Sequence, residues 1–205
     1  MVIESDVVIL SKTRMSGSNV CVGGYDTSKH RMIRLLDSHA KSLNANYPYE
    51  VGQAYRINYQ TRYIISPPHT EDVAVYNYQF IDWCNIDYFN QLTLSLSLKN
   101  VSLSDLFDGN LNWENDSGYI SEEKNVNYSV QIATLNNNLK KENDYFVDST
   151  NIFSRKRVKY VGFKNINEMP DTIPAGTKIR FSLARMWDKN NDGNRRSYLQ
   201  LSGIY

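Results

Sequence analysis

His69-Thr70-Glu71-Asp72 puts an imidazole, a hydroxyl and two carboxylates into consecutive positions, directly after Ser66-Pro67-Pro68. These are the groups of acid–base catalysis, of metal ligation and of polar clamps. The two prolines fix φ twice and remove two N–H donors, so no central strand runs through them. A metal site needs three or four converging ligands, and His69, Glu71 and Asp72 are the obvious ones here. Adjacent strand residues point to opposite faces, so Glu71 and Asp72 diverge once a strand has begun. Two readings stay open. In one, the loop clamps a ligand. In the other it is structural: His69 or Thr70 caps the loop, and a carboxylate holds backbone N–H groups or a basic partner from another strand.

Other clusters carry cations. The first expected strand ends in Lys12-Thr13-Arg14, and the third holds Arg31 and Arg34. In a meander these groups gather near one end. There they either contact phosphate or lie on a solvated face, paired with Asp26, Asp37 or Glu71. The densest basic run is Ser154-Arg155-Lys156-Arg157-Val158-Lys159-Tyr160, with aromatic rings at Phe153, Tyr160 and Phe163. Arg195-Arg196-Ser197-Tyr198 enters the last expected strand, with Arg185 and Trp187 across a hairpin. Single-strand binding uses this combination, because bases stack on rings while cations follow the phosphates. A charged edge strand that resists aggregation has a similar composition. Asp188-Lys189-Asn190-Asn191-Asp192-Gly193 begins like a calcium loop, but the twelfth position is Leu199 and strands flank it, so it reads as an Asp-Gly hairpin turn. No nucleophile–base pair, phosphate-binding glycine loop or dinucleotide fingerprint is present, so neither an enzyme nor a cofactor is expected.

The elements that must position these groups are mostly strands. Residues 6–12, 19–25 and 31–36 read as a three-stranded meander, with Gly23-Gly24 marking a bulge or tight bend. Residues 53–60 and 73–81 alternate in polarity, and 61–65 extend the first of them toward the prolines. A short helix over 85–91, a capped turn over 102–109 and a polar loop over 110–125 follow. Strands resume at 128–135, 158–164, 177–183 and 197–205. The chain is thus all-β with minor helix, in two β-rich halves around a connector.

Composition excludes little. The 205 residues carry 23 basic and 22 acidic side chains, a net charge of +1, so only a local patch can argue for nucleic acid. The 15 tyrosines fit both an A/T-rich coding sequence and a stacking surface. No apolar run approaches the ~20 residues of a membrane span. The start lacks a secretion signal, so a cytoplasmic location is expected, with Cys21 and Cys84 reduced.

Several segments resemble one family. Ser11-Lys12-Thr13-Arg14, Cys21-Val22-Gly23-Gly24-Tyr25-Asp26 and Arg31-Met32-Ile33-Arg34-Leu35 are similar to the opening of bacterial dual OB domain proteins. Pro68-His69-Thr70-Glu71-Asp72 resembles their internal motif. Ile179-Arg180-Phe181-Ser182-Leu183 and Tyr198-Leu199-Gln200-Leu201-Ser202-Gly203 resemble their final strands. The family's Trp-Ile-Arg-Pro-type third strand appears here as Met32-Ile33-Arg34-Leu35. The resemblance implies two small OB-like β-barrels in tandem, over residues 1–84 and 126–205, joined by a helical and loop connector over 85–125. It also implies a nucleic-acid or nucleotide binder in a prokaryotic conflict or defence setting. The leading expectation is a non-enzymatic module for single-stranded nucleic acid. The alternatives are a nucleotide or small-ligand sensor built on the His69–Asp72 loop, and a protein-interaction partner in a defence or toxin–antitoxin pair.

Overall fold

In the computed structural model, which describes residues 1–62, 66–124, 126–150 and 154–205, the N-terminal strands close on themselves. β1 (Ile3–Arg14), β2 (Asn19–Asp26) and β3 (Arg31–Leu36) are rich in β-branched and apolar residues and form the expected meander. A two-residue β4 (Leu43–Asn44) lies on the edge of β2. β5 (Gln53–Thr61) and β6 (Asp72–Trp83) form the longest ladder of this half. β1 pairs with both β2 and β5, and β6 returns parallel to β3, so the ring runs β1–β2–β3–β6–β5–β1. That ring is a closed five-stranded barrel, antiparallel except at β3–β6.

The bulge lies opposite the glycines rather than within them. Ile9 pairs with Gly24 and Ser11 with Gly23, which leaves Leu10 as the extra residue on β1. Gly24 is required by close approach, since a Cβ there would lie 2.5 Å from Cγ1 of Val7. Val7, Ile9, Val22, Ile33, Leu35, Ile57, Tyr59 and Val73 fill the barrel. One charge sits among them. Asp26 is fully buried and accepts hydrogen bonds from the Ser5 hydroxyl (2.5 Å), the Tyr59 hydroxyl, and the backbone N–H groups of Ser28 (3.0 Å) and Lys29 (2.9 Å). Burial pushes its pKa up, but these hydrogen bonds outweigh burial and hold it below the usual carboxylate value.

The chain divides into two compact units, Met1–Gln91 and Leu92–Tyr205, and the division falls inside α1 (Ile86–Ser95). Asn85 starts that helix by accepting from the N–H of Asp87 at 2.8 Å.

In the second unit β7 (Ser97–Val101) is followed by a 3-10 segment over Leu103–Gly109 and the hairpin of β8 (Asn112–Glu114) and β9 (Ser117–Ser121). Residues 110–125 are therefore not simply the polar loop their composition suggests. Asn115 and Asp116 take positive φ (49° and 64°), the turn chemistry of a two-residue hairpin, and this brings Trp113 opposite Gly118. The remaining strands are β10 (Val130–Leu135), β11 (Leu139–Glu142), β12 (Tyr145–Asp148), β13 (Lys156–Tyr160), β14 (Thr172–Ile173), β15 (Lys178–Leu183) and β16 (Arg196–Ile204). Their ladder runs β10–β15–β16–β13–β12–β11, with β13 and β16 parallel. Counting β10 and β11 as halves of one bent strand, this is the strand order of the first unit. The core gathers Leu106, Phe107, Ile120, Leu139, Phe146, Val158, Ile179, Phe181 and Leu201.

Candidate functional site

The proline loop joins the last two strands of the first barrel. Pro67–Pro68 is a cis peptide, and the N–H of His69 donates to the Ser66 carbonyl at 2.9 Å. Asp72, the first residue of β6, receives Nε of Arg34 at 2.5 Å and its Nη2 at 2.6 Å, while Nη1 of Arg62 lies 3.5 Å away. The N–H of Arg34 also donates to the Glu71 carbonyl at 2.8 Å. Burial works against the charge of Arg34, but the Asp72 hydrogen bonds outweigh it and hold the guanidinium pKa above its ordinary value. Asp72 thus clamps a basic partner from another strand, and the clamp locks the parallel β3–β6 closure. His69 and Glu71 are buried, and Thr70 is half-buried.

The cations of β1 and β3 do not all gather at one end: Lys12 lies opposite Val22 and Arg34 opposite Gly23, but Arg31 is remote from them. Arg14 lies opposite Val20 while Arg31 lies opposite Asp26. Those positions are six residues apart along β2, about 20 Å. The turns therefore place the two arginines at opposite ends of the meander. Lys12 is buried against Glu50 (2.7 Å), Arg14 is exposed, and Arg31 donates to the Tyr59 hydroxyl (3.3 Å).

The second unit sets Arg196 and Tyr198, both expected, against Tyr119 and Lys189, which were not. Arg196 opens β16 and is gripped by Asp192, with Nη2 to Oδ2 at 2.7 Å and Nη1 to Oδ1 at 3.0 Å, and Glu114 lies 3.7 Å from its Nε. Those bonds hold Asp192 well below the usual carboxylate range. Arg196 lies over the ring of Tyr119 at 5.3 Å, Tyr119 is 5.9 Å from the Tyr198 ring, and Lys189 Nζ sits 5.0 Å over Tyr198. The result is one continuous cation–aromatic row. It runs along β9 and β16, where Tyr198 pairs with Tyr119.

The loop 184–195 that precedes β16 is longer than an Asp-Gly hairpin turn. Asp188 holds it by accepting from the N–H groups of Asp192 (3.1 Å) and Gly193 (2.9 Å). Both acidic groups of the apparent calcium motif are therefore engaged within the loop. Trp187 bridges to Arg196 through the backbone, yet its side chain leaves the residue 52% exposed. Arg195 reaches Glu122 at 3.3 Å on the surface, and Arg185 is exposed.

The run at β13 is more dispersed. Arg155 pairs with Glu142, Lys156 donates to the Ser104 hydroxyl at 2.5 Å and covers Trp113 at 5.1 Å, and Arg157 covers Tyr145 at 4.9 Å. Tyr160 packs edge-on against Phe146. Phe153 lies outside the described residues, as does the 63–65 part of the extension expected for β5.

Two participants escape the sequence reading. Lys189 and Tyr119 join the row only through the β9–β16 pairing, which no local pattern announces. On β6 the sequence leaves two readings for the face that carries Tyr76, Tyr78 and Phe80, covered or an aromatic patch, and these rings are exposed together with Trp83. Alternating rings over 73–81 are the signal of that patch. Among the described residues, no helix is long and apolar enough to cross a membrane, and no cluster of His, Cys, Asp or Glu is assembled to hold a metal.

No curated protein matches this chain. Among solved structures, the crystal structure of the p204 HINb domain aligns over 97% of this chain and 96% of that one, at 11% identity and a TM-score of 0.32. That likeness is too distant to specify a ligand. The sequence model of the dual OB-containing domain, DuOB, matches residues 5–204, the span that contains both sets of strands described above. The chain belongs to the dual OB-containing domain family.

Proposed function

We propose that the protein binds single-stranded nucleic acid without catalysis, through the loop 184–195 and the adjoining row on β9 and β16. The observation that carries this reading is Trp187, half exposed beside Lys189, Arg195 and the Tyr198–Tyr119 pair. The loop joins the last two barrel strands, one of the two loops with which OB barrels hold oligonucleotides. Bases stack on Trp187 and Tyr198 while Lys189, Arg195 and Arg185 meet phosphates. Arg196 serves differently: its bonds to Asp192 fix the loop. Arg155, Lys156 and Arg157 extend the basic surface along β13. In the first unit Lys12, Arg31, Arg34, Glu71 and Asp72 act as supports of the fold rather than as ligand contacts.

Fluorescence anisotropy of a labelled oligonucleotide of about 12 nucleotides, the length scale of an OB site, tests the reading. Binding should be firm at about 50 mM salt and weaken steeply by about 200 mM, as counterion release requires. A flat titration at the lower salt refutes it.

A further inference from the structure

We propose that the first barrel carries a separate site for a single nucleoside 5′-monophosphate, taken either as a free nucleotide or as the 5′ end of a strand. The site is an open cleft of about 360 Å³ beside β6. It arises from topology. β6 pairs with β3 only as far as Ala74, opposite Leu36, and the chain leaving β3 turns away over 37–41. Between that turn and the β5–β6 ladder lie His39, Ala40, Gln60, Arg62, Ala74 and Tyr76.

Each wall offers one part of nucleotide recognition. Arg62 is the loosely held member of its cluster, 3.5 Å from Asp72 with 33% of its side chain open, whereas Arg34 takes both Asp72 oxygens at 2.5 and 2.6 Å. Its planar fork suits a phosphate. Tyr76 is half exposed, and its hydroxyl donates to Oε1 of Gln60 at 3.0 Å. That bond steadies the ring as a stacking face and leaves the Gln60 amide N–H groups to meet a base edge. Ala74 keeps the floor shallow. On the opposite rim, Asp37 accepts from the N–H groups of His39 (2.9 Å) and Lys41 (2.8 Å), and Ala40 sits at φ 59°. A left-handed alanine costs energy, and such outliers gather at ligand clamps. The bond to Asp37 fixes the backbone of His39 at the mouth of the cleft. The volume is at the small end of ligand sites, which fits one nucleotide rather than a strand.

This site shares no residue with the loop 184–195, so the two proposals fail separately. Isothermal titration calorimetry with adenosine 5′-monophosphate on the full chain is the test, with adenosine and inorganic phosphate as controls. The monophosphate should bind more tightly than either control, and Arg62→Gln and Tyr76→Ala should each weaken it about tenfold. Trp187→Ala should leave it unchanged while weakening the oligonucleotide. If Arg62→Gln fails to fold, Tyr76→Ala, on an exposed side chain, decides alone. A 5′-phosphorylated trinucleotide that displaces the monophosphate identifies a strand end as the source, and one that does not identifies the free nucleotide. No heat from the monophosphate at millimolar concentration, equal binding of adenosine, undiminished binding by Tyr76→Ala, or loss of binding in Trp187→Ala overturns the proposal.

Discussion

Replacing Asp72 by asparagine keeps the shape of the side chain and removes its charge. The Asp72 side chain is 3% exposed, and Arg34, which grips it at 2.5 and 2.6 Å, is 13% exposed. One carboxylate oxygen becomes an NH2 group facing a guanidinium, so one charge-assisted hydrogen bond disappears, about 1.5–3 kcal/mol. The guanidinium also stays buried without its counter-charge, and breaking such pairs costs about 3–5 kcal/mol in all. Arg34 retains some solvent, so the lower end applies, about 3 kcal/mol. For a unit of the size of Met1–Gln91, that corresponds to a fall in Tm of roughly 12 °C or more. Hydrogen exchange read by mass spectrometry suits the assay, because peptides from β3 and β6 report the first barrel separately from the second unit. Protection there should fall in Asp72→Asn and return largely in the double variant Arg34→Met with Asp72→Leu, since an apolar pair replaces a buried ion pair at little cost. If Asp72→Asn lies within about 0.5 kcal/mol of the parent, the clamp does not hold β3 to β6 and the structural reading of the loop fails.

Four further outcomes rest on the same geometry. Asp26 has a depressed pKa, so its contribution to stability is complete above the ordinary value of 3.8 and is lost as pH falls through the folded value. Asp26→Asn should therefore flatten the acid side of the stability curve below about pH 4 while lowering stability at neutral pH, as urea titrations across pH would show. Gly24→Ala puts a Cβ 2.5 Å from Val7 Cγ1 and 3.2 Å from the Val8 carbonyl, and should cost about 1–3 kcal/mol by thermal melting. Arg195→Gln should lower the salt slope of oligonucleotide binding by about 0.7 for each phosphate the side chain no longer neutralises, with little change in melting temperature. Asp192→Asn releases Arg196 and should raise amide exchange across 188–195 without changing exchange in β3 and β6.

How far the fold could be read from sequence depended on the range of the interactions. β1, β2, β3, β5 and β6 were legible because alternation and β-branched content are local. The closure was not, since the Arg34–Asp72 register joins residues that nothing local links. The β8–β9 hairpin was obscured because Asn115-Asp116 lies in a polar stretch that also reads as loop. Gly23-Gly24 point to a bulge or tight bend, and a bulge does fall at that pairing; that the extra residue is Leu10 on the facing strand shows only in the pairing. The site divided in the same way. Proline chemistry locates the His69–Asp72 loop, and the reading in which a carboxylate holds a basic partner from another strand describes Asp72 on Arg34. Nothing local names Arg34 as the partner of Asp72. Trp187, Arg195 and Tyr198 stood out by type, while Tyr119 and Lys189 entered only through sheet pairing.

The central claim is that the loop 184–195 and the row beside it hold a single strand. The most direct measurement is the dissociation constant of one short labelled oligonucleotide for the parent and for a combined Trp187→Ala, Lys189→Gln, Arg195→Gln variant at the same salt. The account predicts salt-sensitive binding by the parent. In the variant it predicts a loss of at least about tenfold, as one stacked base alone supplies about 1–3 kcal/mol, with the melting temperature preserved. Equal affinity of the two proteins, or no binding by the parent at low salt, would contradict it.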